Sequence, residues 1–234
     1  MFSDMFSAAN LQETWEIVRT QFLPAFWETL YVTFAATLLA VIIGAPLGIL
    51  LVTGEKDGIH PLPKFLMKTL DVVINILRSV PFLILMILVF PLTRIIVGTA
   101  VGTTASIVPL TIAAFPFVAR LVESSMREIN PNIIEMARSM GASTLQIIIK
   151  VMIPEAVPSL ISNLTIAITT ILGYTAMSGI IGGGGLGKIA INYGYYRYKD
   201  LVMLLAVILL VAIVQIFQTI GSKAALKFDK RINK

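Results

Sequence analysis

The chain has 234 residues, of which 57% are apolar and only 13% charged, with a formal net charge of +5 and a mean hydropathy of +0.89. Soluble domains carry roughly 25% charged residues, so this composition excludes a water-facing globular surface. Cysteine is absent and His60 is the one histidine, which excludes disulfide chemistry and a zinc site of the usual ligand sets. The basic residues are scattered between apolar runs, with none of the patterns that frame a nucleic-acid surface.

A helix needs about 20 apolar residues to cross the ~30 Å hydrocarbon core. Five stretches meet that need, at approximately 27–53, 70–93, 104–122, 155–180 and 201–223, with an organised loop at 124–153. They predict an all-α integral membrane protein of about five spans forming one transmembrane domain over 1–234. Met1 to Arg19 carries Asp4, Glu13 and Glu16 and lacks a basic start followed by an apolar run, so it does not read as a cleavable signal peptide.

Lysine and arginine collect on cytoplasmic loops. Twelve fall on the side of the 124–153 loop, including Lys56, Arg120, Arg127, Arg138 and the tail residues Lys230, Arg231 and Lys234; five fall opposite, Arg19, Arg94, Lys188, Arg197 and Lys199, with Arg78 set aside. That split predicts the N-terminus outside and both the loop and the C-terminus in the cytoplasm.

Within the spans, Gly44, Pro46, Gly48, Pro81, Pro91, Pro109, Pro116 and Gly173 have two readings, close packing between helices or hinges for a pathway that opens on alternate sides. Arg78, the one clear charge inside the second span, either shares a polar pathway face with Asn75 and Ser79 or extends its head to the cytoplasmic interface. The fourth span is rich in hydroxyls and amides; Tyr174, Met177 and Ser178 near its outer end are candidate pathway residues, with Met177 a candidate gate, and ordinary packing is the alternative.

The loop has the chemistry of a built element. Asn130 can cap a helix starting at Pro131, Gly141 can end it in a left-handed conformation, and Ser143 or Thr144 offers a second cap before Pro154 and Pro158 bend the chain into the fourth span. Glu135, Ala137, Gly141, Val151, Ile153 and Pro154 match the Glu-Ala-Ala, three residues, Gly, nine residues, Ile-x-Leu-Pro signature of permease subunits of bacterial ATP-binding-cassette importers. The departures are Met136 within the triplet and two apolar changes near the proline. Asn75-Ile-Leu-Arg-Ser-Val-Pro-Phe82, Pro116-Phe-Val-Ala-Arg-Leu-Val-Glu123 and Gly173-Tyr-Thr-Ala-Met-Ser178 extend the resemblance, most closely to methionine-importer permeases, over nearly the whole chain.

The resemblance implies the type I importer permease fold, with a coupling helix at 131–143 that seats in a cleft of the ATPase subunit. The motif residues Glu135, Ala137, Gly141 and Pro154 fall in that contact, joined by Ala142 as a further small residue for close approach and Arg138 as a charge that with Glu135 can fix register. The alternative is a loop helix lying on lipid headgroups. It further implies a homodimer, or a heterodimer with a paralogue, two ATPase subunits that use ATP and Mg²⁺, an external substrate-binding lipoprotein, and methionine (D or L) or a related amino acid as solute. No cofactor and no enzymatic activity are expected in this chain.

The run Gly182-Gly-Gly-Gly-Leu-Gly-Lys188 imitates a phosphate-binding loop, but Ile189 stands where a hydroxyl must meet Mg²⁺; it reads as a flexible turn after the fourth span. An ion-driven transporter would bury acids in its spans, and Asp71 is read as the sole acid near one. A membrane enzyme would need a nucleophile with a base, or metal ligands, at membrane depth, and neither pattern is present.

Overall fold

A computed structural model describes residues 8–229. The expectations placed on Met1 to Ser7 and on Lys230, Arg231 and Lys234 lie outside the described residues. Those described are helical, with no strand among them.

The main elements in chain order are α1 (Ala8–Ile17), α2 (Leu23–Thr53), α3 (Lys64–Ser79), α4 (Phe82–Leu88), α5 (Phe90–Val97), α6 (Ile107–Arg127), α7 (Pro131–Ser139), α8 (Thr144–Ile147), α9 (Ile153–Ser178), α10 (Gly185–Ile189) and α11 (Asp200–Phe228). π-Helical turns lie between α1 and α2, between α8 and α9 and after α10. Four of the described helices are long and apolar enough to cross a membrane, and a fifth span is added if α3 and α4 count as one bent crossing. Helices satisfy this requirement because all of their backbone bonds close within the segment. On α2, Trp27, Tyr31, Phe34, Leu38 and Ile42 are all exposed, spaced three or four apart along one apolar face that water would not tolerate.

The stretch 70–93 is not a single straight helix. The axes of α3 and α4 meet at 106°. Val80 is extended at ψ 125°, as a residue before proline prefers, and Pro81 has no N–H with which to continue the α3 ladder.

The contacts fall into two compact units. One comprises the residues up to Thr37, Pro81–Ile112 and Ile168–Phe217; its apolar core is built on Phe22, Ala25, Leu172, Leu186, Ile189, Val202, Ala206 and Ile213. The other comprises Leu38–Val80, Ala113–Ala167 and the residues from Gln218 onward, where Leu51, Ile74 and Ala119 are packed with Leu47, Met67 and Leu70.

In this second unit Gly44 and Gly48 lie one turn apart on α2, against the backbone of α6. A Cβ on Gly44 would come within 2.6 Å of the Phe115 carbonyl oxygen, and one on Gly48 within 2.8 Å of Val122 Cβ. This small-xxx-small contact lets two helices approach without a cavity, so the packing reading holds for these two glycines. Gly173 has nothing within 4 Å of a Cβ built on it.

Candidate functional site

The 124–153 loop folds from its own caps. Asn130 Oδ1 accepts the Asn132 amide at 3.0 Å and Pro131 opens α7. At the other end Gly141 is left-handed, with φ 78°. The Gly141 amide donates to the Arg138 carbonyl at 2.9 Å and the Ala142 amide to the Ala137 carbonyl at 3.2 Å, the paired bonds of a Schellman motif. Ser143 then forms a capping box with Gln146 at the start of α8.

Glu135, Arg138, Gly141 and Pro154 are exposed, and so are Met136, Met140 and Leu145. Ala137 is buried and Ala142 half-buried, so Ala137 packs inside the chain rather than on the outward face. Glu135 and Arg138, with Pro131 and Ile134, line one side of a groove of about 360 Å³. The other side is the end of α2 and its following turn, including Thr53, Glu55, Asp57 and Ile59.

Beside this groove runs a chain of alternating charges. Asp71 on α3 pairs with Arg120 on α6; Arg120 donates to Glu123 at 2.6 Å; Glu123 accepts from Arg127 at 2.8 and 3.0 Å; Arg127 reaches Glu55 at 2.5 and 3.2 Å. Glu123 is 8% exposed, and a carboxylate that deep is stable because two guanidinium groups hold it. Asn75 Oδ1 accepts from Arg120 at 3.0 Å, which joins this candidate pathway residue to the charge chain.

The other candidates fall in different places. Arg78 is exposed in the last turn of α3, directly before the bend. Ser79 returns its hydroxyl to the Asn75 carbonyl at 2.8 Å. Tyr174 stacks on Phe82, with ring centroids 4.5 Å apart and planes 5° from parallel, and Met177 is 40% exposed one turn further on. Ser178 is buried; its hydroxyl donates to Thr175 at 2.7 Å and its carbonyl accepts the Gly183 amide at 2.9 Å.

The glycine run is tightly packed rather than a loose turn. The Gly185 amide donates to the Glu28 carboxylate at 2.7 Å, the Leu186 amide to Thr29 Oγ1 at 2.9 Å, and the Gly102 amide to the Gly182 carbonyl at 2.9 Å. A Cβ on Gly187 would overlap the Ala176 backbone. An anion does sit against the Gly185 amide, and it is the chain's own Glu28. Among the described residues no group of three or more His, Cys, Asp or Glu is placed to hold a metal ion.

A family model described as the binding-protein-dependent transport system inner membrane component matches residues 58–226, which include the 124–153 loop, the charge chain from Asp71 to Arg127 and the glycine run. The chain belongs to this family. It is 49% identical over 210 residues to a Vibrio cholerae protein named as a probable D-methionine transport system permease protein MetI, covering 89% of this chain and 92% of that one. A Pasteurella multocida protein of the same name is 45% identical over 218 residues, covering 93% and 98%. A solved structure titled as inward-facing conformations of the MetNI methionine ABC transporter aligns with a TM-score of 0.89 and 41% identity, covering 92% of this chain and 99% of that one.

Within this transport component, sequence reasoning overlooked several acids at span edges, Glu155 and Asp200 among them, and two, Glu28 and Glu123, have partners that show their role. Asp71 is not the sole acid near a span: Glu28 is the second residue of 27–53, and Glu123 lies one residue beyond 104–122. Glu28 is stabilised by the Gly185 backbone amide and Glu123 by two arginines. For Glu123 a signal was available, since Arg120, Glu123 and Arg127 are three and four apart and share a helix face.

Proposed function

We propose that this chain is the permease subunit of an ATP-driven importer for methionine, in either enantiomer, or for a related amino acid. Two copies form the translocation path. Two ATPase subunits dock on the cytoplasmic face, where they consume ATP and Mg²⁺, and an external lipoprotein delivers the solute. The N-terminus lies outside and the C-terminus inside, as the lysine and arginine distribution favours. The chain itself performs no bond chemistry.

One observation carries the coupling assignment: α7 is capped at both ends by its own residues and presents Met136, Met140 and the left-handed Gly141 outward. A helix so short is marginal alone, and rigid caps let it transmit a push from a partner without unwinding. Exposed methionines suit an adaptable contact. Glu135 and Arg138 supply charges that fix register with a partner. The relatives named for D-methionine transport support the choice of solute.

The test is uptake of labelled methionine by proteoliposomes holding this chain, its ATPase and its binding protein, with unlabelled amino acids as competitors. ATP-dependent uptake that unlabelled methionine suppresses is expected. Uptake that methionine fails to suppress assigns the permease to another small solute, and uptake without ATP or the ATPase sinks the importer reading.

A further inference from the structure

The charge chain has a property that span packing does not require. Asp71, Arg120, Glu123 and Arg127 tie α3 to α6, which already pack through Ile74 and Ala119. Its last link adds Glu55, in the turn after α2, whose last turns already pack with α3 and α6 through Leu51 and Gly48. Glu55 is also part of the wall facing Glu135 and Arg138 in the groove beside α7. One carboxylate thus belongs both to the seat of α7 and to the ion pairs of α6.

The two ends of the chain differ in strength. Glu123, buried and held by two arginines, cannot lose a partner cheaply, because the remaining charge would stay desolvated. Glu55 and Arg127 have side chains 48% and 46% exposed, so water can replace either partner and salt screens the pair. The turn bearing Glu55 is itself held in shape: the His60 amide donates to the Thr53 carbonyl and the Leu62 amide to the Gly54 carbonyl, both at 3.0 Å. A displacement of α7 against this turn therefore moves Glu55 with the turn as a body, and Arg127 senses it at the end of α6.

We propose that Glu55 and Arg127 are positioning residues for energy coupling: their exposed ion pair is the breakable link through which the seat of α7 pulls on α6. This inference rests on the importer reading. Glu123 anchors Arg127 to its own helix, so the link strains or releases at Glu55.

The experiment uses the complete complex in proteoliposomes and reads two rates, solute uptake and ATP hydrolysis stimulated by loaded binding protein. In Glu55→Ala, uptake per ATP is expected to fall about fivefold, while assembly with the ATPase and hydrolysis persist. Glu55→Asp should recover part of the loss. Raising ionic strength should lower the wild-type ratio and leave Glu55→Ala unchanged, a response that a purely structural role would not give. The double variant Glu55→Ala with Arg127→Gln should be no worse than Arg127→Gln alone, which already removes the Glu55 link together with one partner of Glu123. A wild-type ratio in Glu55→Ala, or additive losses in the double variant, overturns the link while leaving ATP-driven import standing. If wild-type uptake does not need the ATPase, the importer reading falls and the coupling role falls with it.

Discussion

The Glu28 carboxylate accepts the Gly185 amide at 2.7 Å across 157 positions of sequence. The neighbouring Thr29 hydroxyl takes the Leu186 amide, so two consecutive residues of α2 satisfy two consecutive amides of the glycine run. A carboxylate against backbone N–H groups is among the stronger hydrogen bonds available to a protein.

Glu28→Ala should destabilise the protein by ~1–3 kcal/mol, the cost of leaving a partly buried donor without its charged acceptor. Glu28→Gln keeps an acceptor oxygen and should lose less. Thermal unfolding of the purified chain in detergent checks both, and equal midpoints for Glu28→Ala and wild type would refute the clamp. Lys188→Ala should leave ATP hydrolysis of the assembled complex unchanged, because the run's Gly185 and Leu186 amides are already taken by Glu28 and Thr29.

Gly48 and Gly173 predict opposite outcomes for similar changes. Gly48→Leu forces α2 off the backbone of α6, where even a Cβ would lie 3.1 Å from the Glu123 amide nitrogen, and overpacking of this kind costs ~1–3 kcal/mol. Gly173→Ala meets open space and removes a flexible residue from a helix, so it should be neutral or stabilising by up to ~1 kcal/mol. The unfolding midpoint should fall for Gly48→Leu and stay or rise for Gly173→Ala. If Gly173→Ala abolished uptake without lowering stability, the hinge reading would apply at that position.

At Gly141 the constraint within the chain is conformational, since φ is 78° and nothing lies within 4 Å. Other L-residues pay ~1–2 kcal/mol to adopt this region, with Asn and Asp penalised least. Gly141→Asp should therefore insert and fold with α7 in place, yet abolish ATP-driven uptake, because the new carboxylate projects from the outward face. Gly141→Asn separates charge from bulk. Co-purification of the ATPase together with uptake checks the pair, and normal uptake in both variants would remove Gly141 from the contact.

The parts of the site that were legible in sequence are those whose chemistry is local. Asn130 before Pro131, and Gly141 after the last helical turn, declare a short helix within a dozen residues, and both caps form as their side chains and φ angle allow. Uncharged runs likewise announce the long helices. The charge chain was hidden because Arg127 and Glu55 lie 72 positions apart, and each reads separately as a charged residue beside a span. Glu28 was hidden for the opposite reason: one acid at the edge of a long apolar run looks like an interfacial residue until the Gly185 amide is brought beside it. The break between α3 and α4 has a visible cause in Pro81, whereas the stacking of the Phe82 ring on Tyr174 joins residues 92 positions apart and leaves no local trace in the sequence.

That ring contact gives the gate hypothesis its geometry. Tyr174 is held by stacking on Phe82 at 4.5 Å, so the turn of α9 that carries Met177 starts from a fixed platform. Met177 is exposed, whereas Thr175 and Ser178 beside it are buried with their hydroxyls bonded back to their own helix. In the proposed dimer an exposed, unbranched thioether near the path can fill a gap of irregular shape and withdraw from it with small rotamer changes. Met177→Ala shortens the plug without touching the platform, and should leak solute or hydrolyse ATP without matching uptake. Met177→Leu restores most of the volume and should recover most of the coupling. Phe82→Leu tests the platform itself: with the stacking partner gone, Tyr174 is free to move, and a loss of coupling smaller than that of Met177→Ala is expected. The measurement is solute efflux and uptake per ATP in proteoliposomes, and an unchanged ratio in Met177→Ala would remove Met177 as the gate.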